Sequence, residues 1–135
     1  MKYIISIIGL FLLISCNTKY NMIETGLVNG KFDGNMYEYL QSNHYDWDST
    51  RLMVERANLV DLFEGKRAGY EQITFFGPTN HSIRRKMFEE TQLNTETWVQ
   101  EPIYKSVKAY VEAKGVEYCK ELILRHVVKG KYEVK

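Results

Sequence analysis

The chain has 135 residues, 44% of them hydrophobic and 26% charged, a make-up that fits one globular domain and excludes a disordered or fibrous one. Lys2 is the only charge before Cys16, so the 18 basic side chains fall to 17 beyond it and balance the 17 acidic ones. That neutrality argues against a general electrostatic grip on nucleic acid, which takes a basic face.

The first elements are targeting signals. Met1-Lys2 is a short positive region, and residues 4–14 (IISIIGLFLLI) are continuously apolar. Such a run spans only about half of a ~30 Å hydrocarbon core, so it reads as a cleaved signal segment rather than a membrane span. Leu13-Ile14-Ser15-Cys16 resembles a bacterial lipobox. The resemblance implies cleavage after residue 15, lipid on the Cys16 thiol and acylation of the new N-terminus. Several acyl chains at ~0.8 kcal/mol per buried CH₂ anchor a protein stably. The signal peptide is therefore 1–15, the lipidated cysteine and polar tether 16–31, and the folded domain 32–135. Outer-membrane attachment follows, with the face, periplasmic or external, left open. Cys119, the other cysteine, has no partner for a disulfide and sits in an apolar helical pattern, as a small core hydrophobe does.

In the domain, Asp33-Gly34-Asn35 has turn chemistry, and residues 36–42 form a short helix with Met36, Tyr39 and Leu40 on one side. A polar break at 43–48 precedes a helix capped by Asp48 or Ser49, its stripe made by Leu52, Met53, Leu59, Val60 and Phe63. It breaks near Asn58 and stops at Gly65. Residues 72–76 (QITFF) read as a short buried strand, ended by Pro78, which has no N–H for a ladder. Asn80 is the expected N-cap of a helix over 81–90 with Ile83 and Met87 inside. A polar link carrying Trp98 leads to Pro102 at the first turn of the next helix. Ile103, Val107, Tyr110 and Val111 form its buried face and Gly115 its end. A last helix, 116–128, buries Cys119, Leu122, Ile123 and His126, and residues 131–135 begin a strand.

Chemical constellations are few. His44, His81 and His126 form no HxxxH or HExxH pair, so no metal site is assigned. Residues 44–48 (HYDWD) lack the glycine and terminal glutamate of a calcium loop, and capping and turn roles are expected of them. Arg84-Arg85-Lys86 reads as a solvated helix face, with Arg85–Glu89 and Lys86–Glu90 pairs. Trp47 and Trp98 are expected to finish the core at helix–loop junctions; the other reading of the aromatics is stacking on sugars or anchoring a partner. With no Ser-His-Asp or Cys-His order and no phosphate-binding glycine loop, the chain is read as a non-enzyme without a cofactor.

Thr74-Phe75-Phe76-Gly77-Pro78-Thr79-Asn80 is similar to the first signature of the fasciclin domain, Thr-x-Phe-Ala-Pro-Thr-Asn, with glycine in place of alanine. Residues 124–132 (LRHVVKGKY) resemble the family's later Tyr-His-Val-Val-x-Gly stretch, with Arg125 beside His126 where tyrosine is usual. The helix ending in residues 58–63 (NLVDLF) fits the run ahead of the first signature. The structural signature carried over is thus Thr74, Phe76, Pro78, Thr79, Asn80 and His126. The resemblance covers roughly 32–135 and implies an α+β fold, a fasciclin-like wedge of helices against a twisted β-sheet. It also implies incompleteness at the C-terminus, because the family's domain continues with further strands and a second signature. A sheet so shortened keeps an unpaired edge.

The function that follows is an outer-membrane-anchored lipoprotein with a fasciclin-like adhesion or binding module, accessory to glycan binding or uptake. Its partners are the membrane, through the lipid anchor, and outer-membrane proteins or extracellular glycans, with no nucleic acid. The alternative is a truncated, non-functional remnant of a longer fasciclin-domain lipoprotein.

Overall fold

A computed structural model describes residues 31–132, so the signal peptide, Cys16 and nearly all of the tether lie outside the described residues. Phe32–Lys135 forms one compact unit. In chain order come α1 (Met36–Ser42), α2 (His44–Arg56), α3 (Val60–Phe63), β1 (Ile73–Phe75), α4 (Asn80–Glu89), β2 (Thr91–Leu93), β3 (Gln100–Pro102), α5 (Val107–Leu124) and β4 (Val127–Lys129). Helices combine with two small antiparallel sheets, β1–β4 and β2–β3. This is an α+β arrangement.

Helix α1 opens with a capping box: the Asn35 side chain accepts from the Glu38 N–H, and the Glu38 carboxylate accepts from the Asn35 N–H, both at 2.9 Å. Asn43 ends α1 and starts α2, which removes the expected polar break. His44 to Asp48 are helical, so Asp48 and Ser49 are not caps. Asp48 instead receives Arg51 at 2.7 Å. Ser49 and Thr50 turn inward and are buried; the Thr50 hydroxyl donates to the Pro78 carbonyl, and the Ser49 backbone N–H donates to the Asn80 side chain. The break at Asn58 occurs as expected: the residue takes a left-handed φ of 55°. Arg67 then staples that turn, reaching the Asn58 carbonyl at 3.1 Å and both Asp61 oxygens.

Strand β1 pairs with β4 in the register Ile73↔Lys129, Thr74↔Val128, Phe75↔Val127. The C-terminal strand therefore starts earlier than expected, because the last helix stops at Leu124 and the β-branched pair Val127-Val128 goes into the sheet. The pairing reaches beyond the strand ends. Gly130 N–H donates to Gln72 O at 2.9 Å, and Thr74 Oγ1 donates to Gly130 O and accepts from Tyr132 N–H, each at 2.9 Å. β1 is half-buried rather than buried. Phe75 packs edge-on to Phe63 with centroids 4.9 Å apart, whereas Phe76 points out at 66% exposure.

Residues 91–102 carry a hairpin that the sequence reading took as a polar link. Pro102 closes β3 and opens no helix, and Ile103 is exposed. Ser106 caps α5 instead, its Oγ accepting from Ala109 N–H at 3.1 Å. Trp98 is 74% exposed at the hairpin turn and completes no core. Trp47 is half-buried against the core, as expected of it.

The core gathers around α2, which packs on α1, α4 and α5. Leu40, Met53, Leu62, Phe63, Tyr110 and Ile123 are almost wholly buried, and each such side chain stabilises the fold by roughly 1.5–3 kcal/mol relative to exposure. Cys119 is buried too, and burial pushes its thiol up, with Arg56 opposing in part; it is a packed hydrophobe, not a thiolate. His126 falls in the turn after α5 and is half-buried, not a helical core residue. At the far end of α4, Glu90 binds Lys114 at 2.8 Å. The same ammonium lies 5.3–5.9 Å from the ring centroids of Tyr104, Tyr110 and Tyr118.

Gly115 divides α5 with φ 78° and ψ −179°, a region open in practice to glycine alone. An added Cβ would meet nothing within 4 Å, so any penalty comes from the backbone. Gly115→Ala is expected to cost about 1–3 kcal/mol in chemical denaturation; an unchanged midpoint would show that the α5 break is not needed.

Candidate functional site at the β1–α4 corner

The residues of the signature string meet at one corner. Phe76 N–H donates to His126 O at 2.9 Å, which carries the β1–β4 pairing one residue past the strand. Gly77 and Pro78 leave the ladder, and Thr79 takes an extended conformation as the N-cap of α4 without a side-chain cap bond. Asn80 is thus the first helical residue and not the cap. Its side chain works elsewhere. Oδ1 accepts from Ser49 N–H at 2.6 Å, and Nδ2 donates to the carbonyls of His44 at 2.8 Å and Tyr45 at 2.6 Å.

In a regular helix Ser49 N–H and Tyr45 C=O are i→i−4 partners; here the Asn80 amide bonds both of them, so it joins α2 at its backbone. One residue on, Thr50 Oγ1 donates to the Pro78 carbonyl, using a hydroxyl that is 0% exposed. The corner thus takes a backbone N–H from Ser49 and a hydroxyl from Thr50 of α2. Below it the His126 ring shares a small cavity of about 70 Å³ with Pro78, Met53, Ile83, Tyr110 and Leu122. Thr74, the middle residue of β1, works away from the corner, on Gly130 and Tyr132. Among the signature residues Phe76 and His126 bond each other, while Thr74, Pro78 and Asn80 bond residues outside the signature, and the set does not converge on a reactive centre.

Beside the corner is an open cleft of about 820 Å³, within the range of ligand sites. The first turns of α2, α4 and α5 all contribute to its lining, and helix N-termini add positive potential. Arg84, Lys105 and Lys108 line it, and no carboxylate among the described residues pairs with any of them. Several cations elsewhere are committed: Arg51 to Asp48 and Glu55, Arg67 to Asp61, Lys114 to Glu90 and Arg125 to Glu121. The three-residue basic run is accordingly split. Arg85 and Lys86 both approach Glu89, at 3.9 and 3.1 Å, in place of the expected Lys86–Glu90 pair, while Arg84 faces the cleft. Two carboxylates also line it. Asp48 is partly neutralised by Arg51, and Asp46 accepts from Asn43 Nδ2 at 3.4 Å. His44 and His81 complete the polar wall, and Tyr45 at the edge is 90% exposed.

The sequence reading missed this cleft, although two signals were present. His81, Arg84 and Phe88 recur at helical spacing on one face of α4, and Lys105 and Lys108 bracket the start of α5. Among the described residues no cluster of His, Cys, Asp and Glu is arranged to hold a metal ion, and no helix is long and apolar enough to cross a membrane.

An N-cap accepts Asp as readily as Asn, whereas the Asn80 bridge needs an Nδ2 donor. Asn80→Asp is therefore expected to destabilise by about 1–3 kcal/mol, read by thermal or urea unfolding. A melt matching the parent would return Asn80 to a capping role.

Comparisons of the chain with protein-family models, with curated proteins and with solved structures give no match.

Proposed function

We propose that this chain is a lipoprotein, anchored through Cys16 at a bacterial outer membrane, whose fasciclin-like module binds glycans as an accessory of adhesion or uptake. The fasciclin reading is supported by the way Phe76-Gly77-Pro78 leaves the β1–β4 ladder and Thr79-Asn80 opens α4, with His126 bonded to that corner. The observation that carries the binding function is the cleft beside the corner. It is wide and open, and it combines cations that have no described carboxylate partner with an exposed aromatic ring. Such a wall suits a polar, hydroxylated ligand, which needs scattered hydrogen-bonding groups and a flat apolar face.

Two measurements test the reading. Cys16→Ala is expected to move the protein from the membrane to the soluble fraction; retention in the membrane would contradict the anchor. Full-length protein in nonionic detergent is expected to bind a subset of a glycan array, and reproducible absence of binding across the array would contradict the module's role.

A further inference from the structure

We propose that the ligand of the cleft is an acidic saccharide, one carrying uronate carboxylates or sulfate esters, held by Arg84, Lys105 and Lys108. This rests on the glycan-binding reading above and adds to it the chemical class of ligand and the residues that select it.

Charge distribution carries the argument. The chain beyond Cys16 is formally neutral, and Arg51, Lys66, Arg67, Arg85, Lys86, Lys114 and Arg125 each have a carboxylate beside them. Three cations that do not are gathered along one cleft from two different helices, α4 and α5. Three cations share the cleft with two carboxylates, of which Asp48 is already paired with Arg51, so positive charge is left over that a bound anion offsets. Their types fit the ligand. Arg84 offers a planar fork for a carboxylate or sulfate, and the two lysines are point charges on flexible stems that can follow groups spaced along a chain.

The opposite wall supplies what a sugar needs besides charge. Asp46 and Asp48 on α2 accept hydroxyl hydrogens, and the nearby Tyr45 ring, almost fully exposed, offers a stacking face for a pyranose. A small inorganic anion would leave most of an 820 Å³ cleft unfilled. A polynucleotide would want a broad basic face, and here Asp46 and Asp48 interrupt it.

The test is affinity electrophoresis of the full-length protein in nonionic detergent through gels containing dextran, dextran sulfate or polygalacturonate. Retardation by the two acidic polymers and not by dextran is expected, weakening with added salt. Arg84→Gln and Lys108→Gln should each weaken binding roughly two- to fivefold, as loss of one exposed charge pair does, and the double variant about tenfold. Lys120→Gln, the same charge change on an exposed residue of α5 outside the cleft lining, should leave binding at the parent level. All these side chains are exposed, so the variants should melt with the parent; Lys105→Gln replaces any that does not.

Equal retardation by dextran, or equal weakening by Lys120→Gln, would overturn the acidic-saccharide assignment while leaving glycan binding standing. Failure of every polymer here, together with a blank glycan array, would overturn both.

Discussion

The primary amide of Asn80 holds α4 against α2 by bonding to backbone rather than to another side chain. One oxygen and one nitrogen reach three groups of the first turns of α2. A primary amide is the smallest neutral side-chain group that both accepts and donates in this way. A carboxylate would face two carbonyl oxygens with no proton to give, and a hydroxyl has one. The neighbouring Thr50–Pro78 bond adds a second tie from the next residue of α2. Together they set where α4 begins, hence where Ile83 and Met87 enter the core and where β1 must stop.

The cleft depends on that constraint. Its walls are the first turns of helices whose relative positions are set near their N-terminal ends by the Asn80 bridge and farther along by Glu90–Lys114. The latter ties the end of α4 to α5 beside three tyrosine rings. Hydrogen bonding to Glu90 holds the Lys114 pKa above the ordinary lysine value, against the opposing effect of desolvation. With the two ends of α4 fixed, Arg84 lies between them on the face that carries His81 and Phe88. Arg85 and Lys86, one and two residues further round the helix, go to Glu89. A single basic run thus serves two purposes, decided by helical geometry.

Much of the fold was legible from local chemistry. Asn58 and Gly65 punctuate the chain as read, and Ile83 with Met87, or Tyr110 with Val111, face inward as their spacing requires. What failed was decided at a distance. Ser49 fits an N-cap by residue type, yet it lies inside a helix that starts at His44, with its N–H met by Asn80, 31 positions away. Asn80 looked like a cap for the same reason, since nothing local reveals the helix it reaches. Pro102 fits a helix start and equally the end of an edge strand, and only the pairing of Gln92 with Glu101 decides. Phe76 reads as inside because it belongs to a short apolar strand, and Trp98 on the general tendency of aromatics, yet both are exposed. The cleft needed three helix starts to converge, and those starts are distributed from residue 44 to residue 107.

The bridge itself is open to direct observation through hydrogen exchange at the Ser49 amide, followed by NMR in the parent and in Asn80→Ala. The account predicts a strongly protected Ser49 N–H in the parent, and a selective loss of that protection in the variant while Val54, deeper in the same helix, stays protected. Equal Ser49 protection in the two proteins would contradict it, because α2 would then be complete without the amide of Asn80.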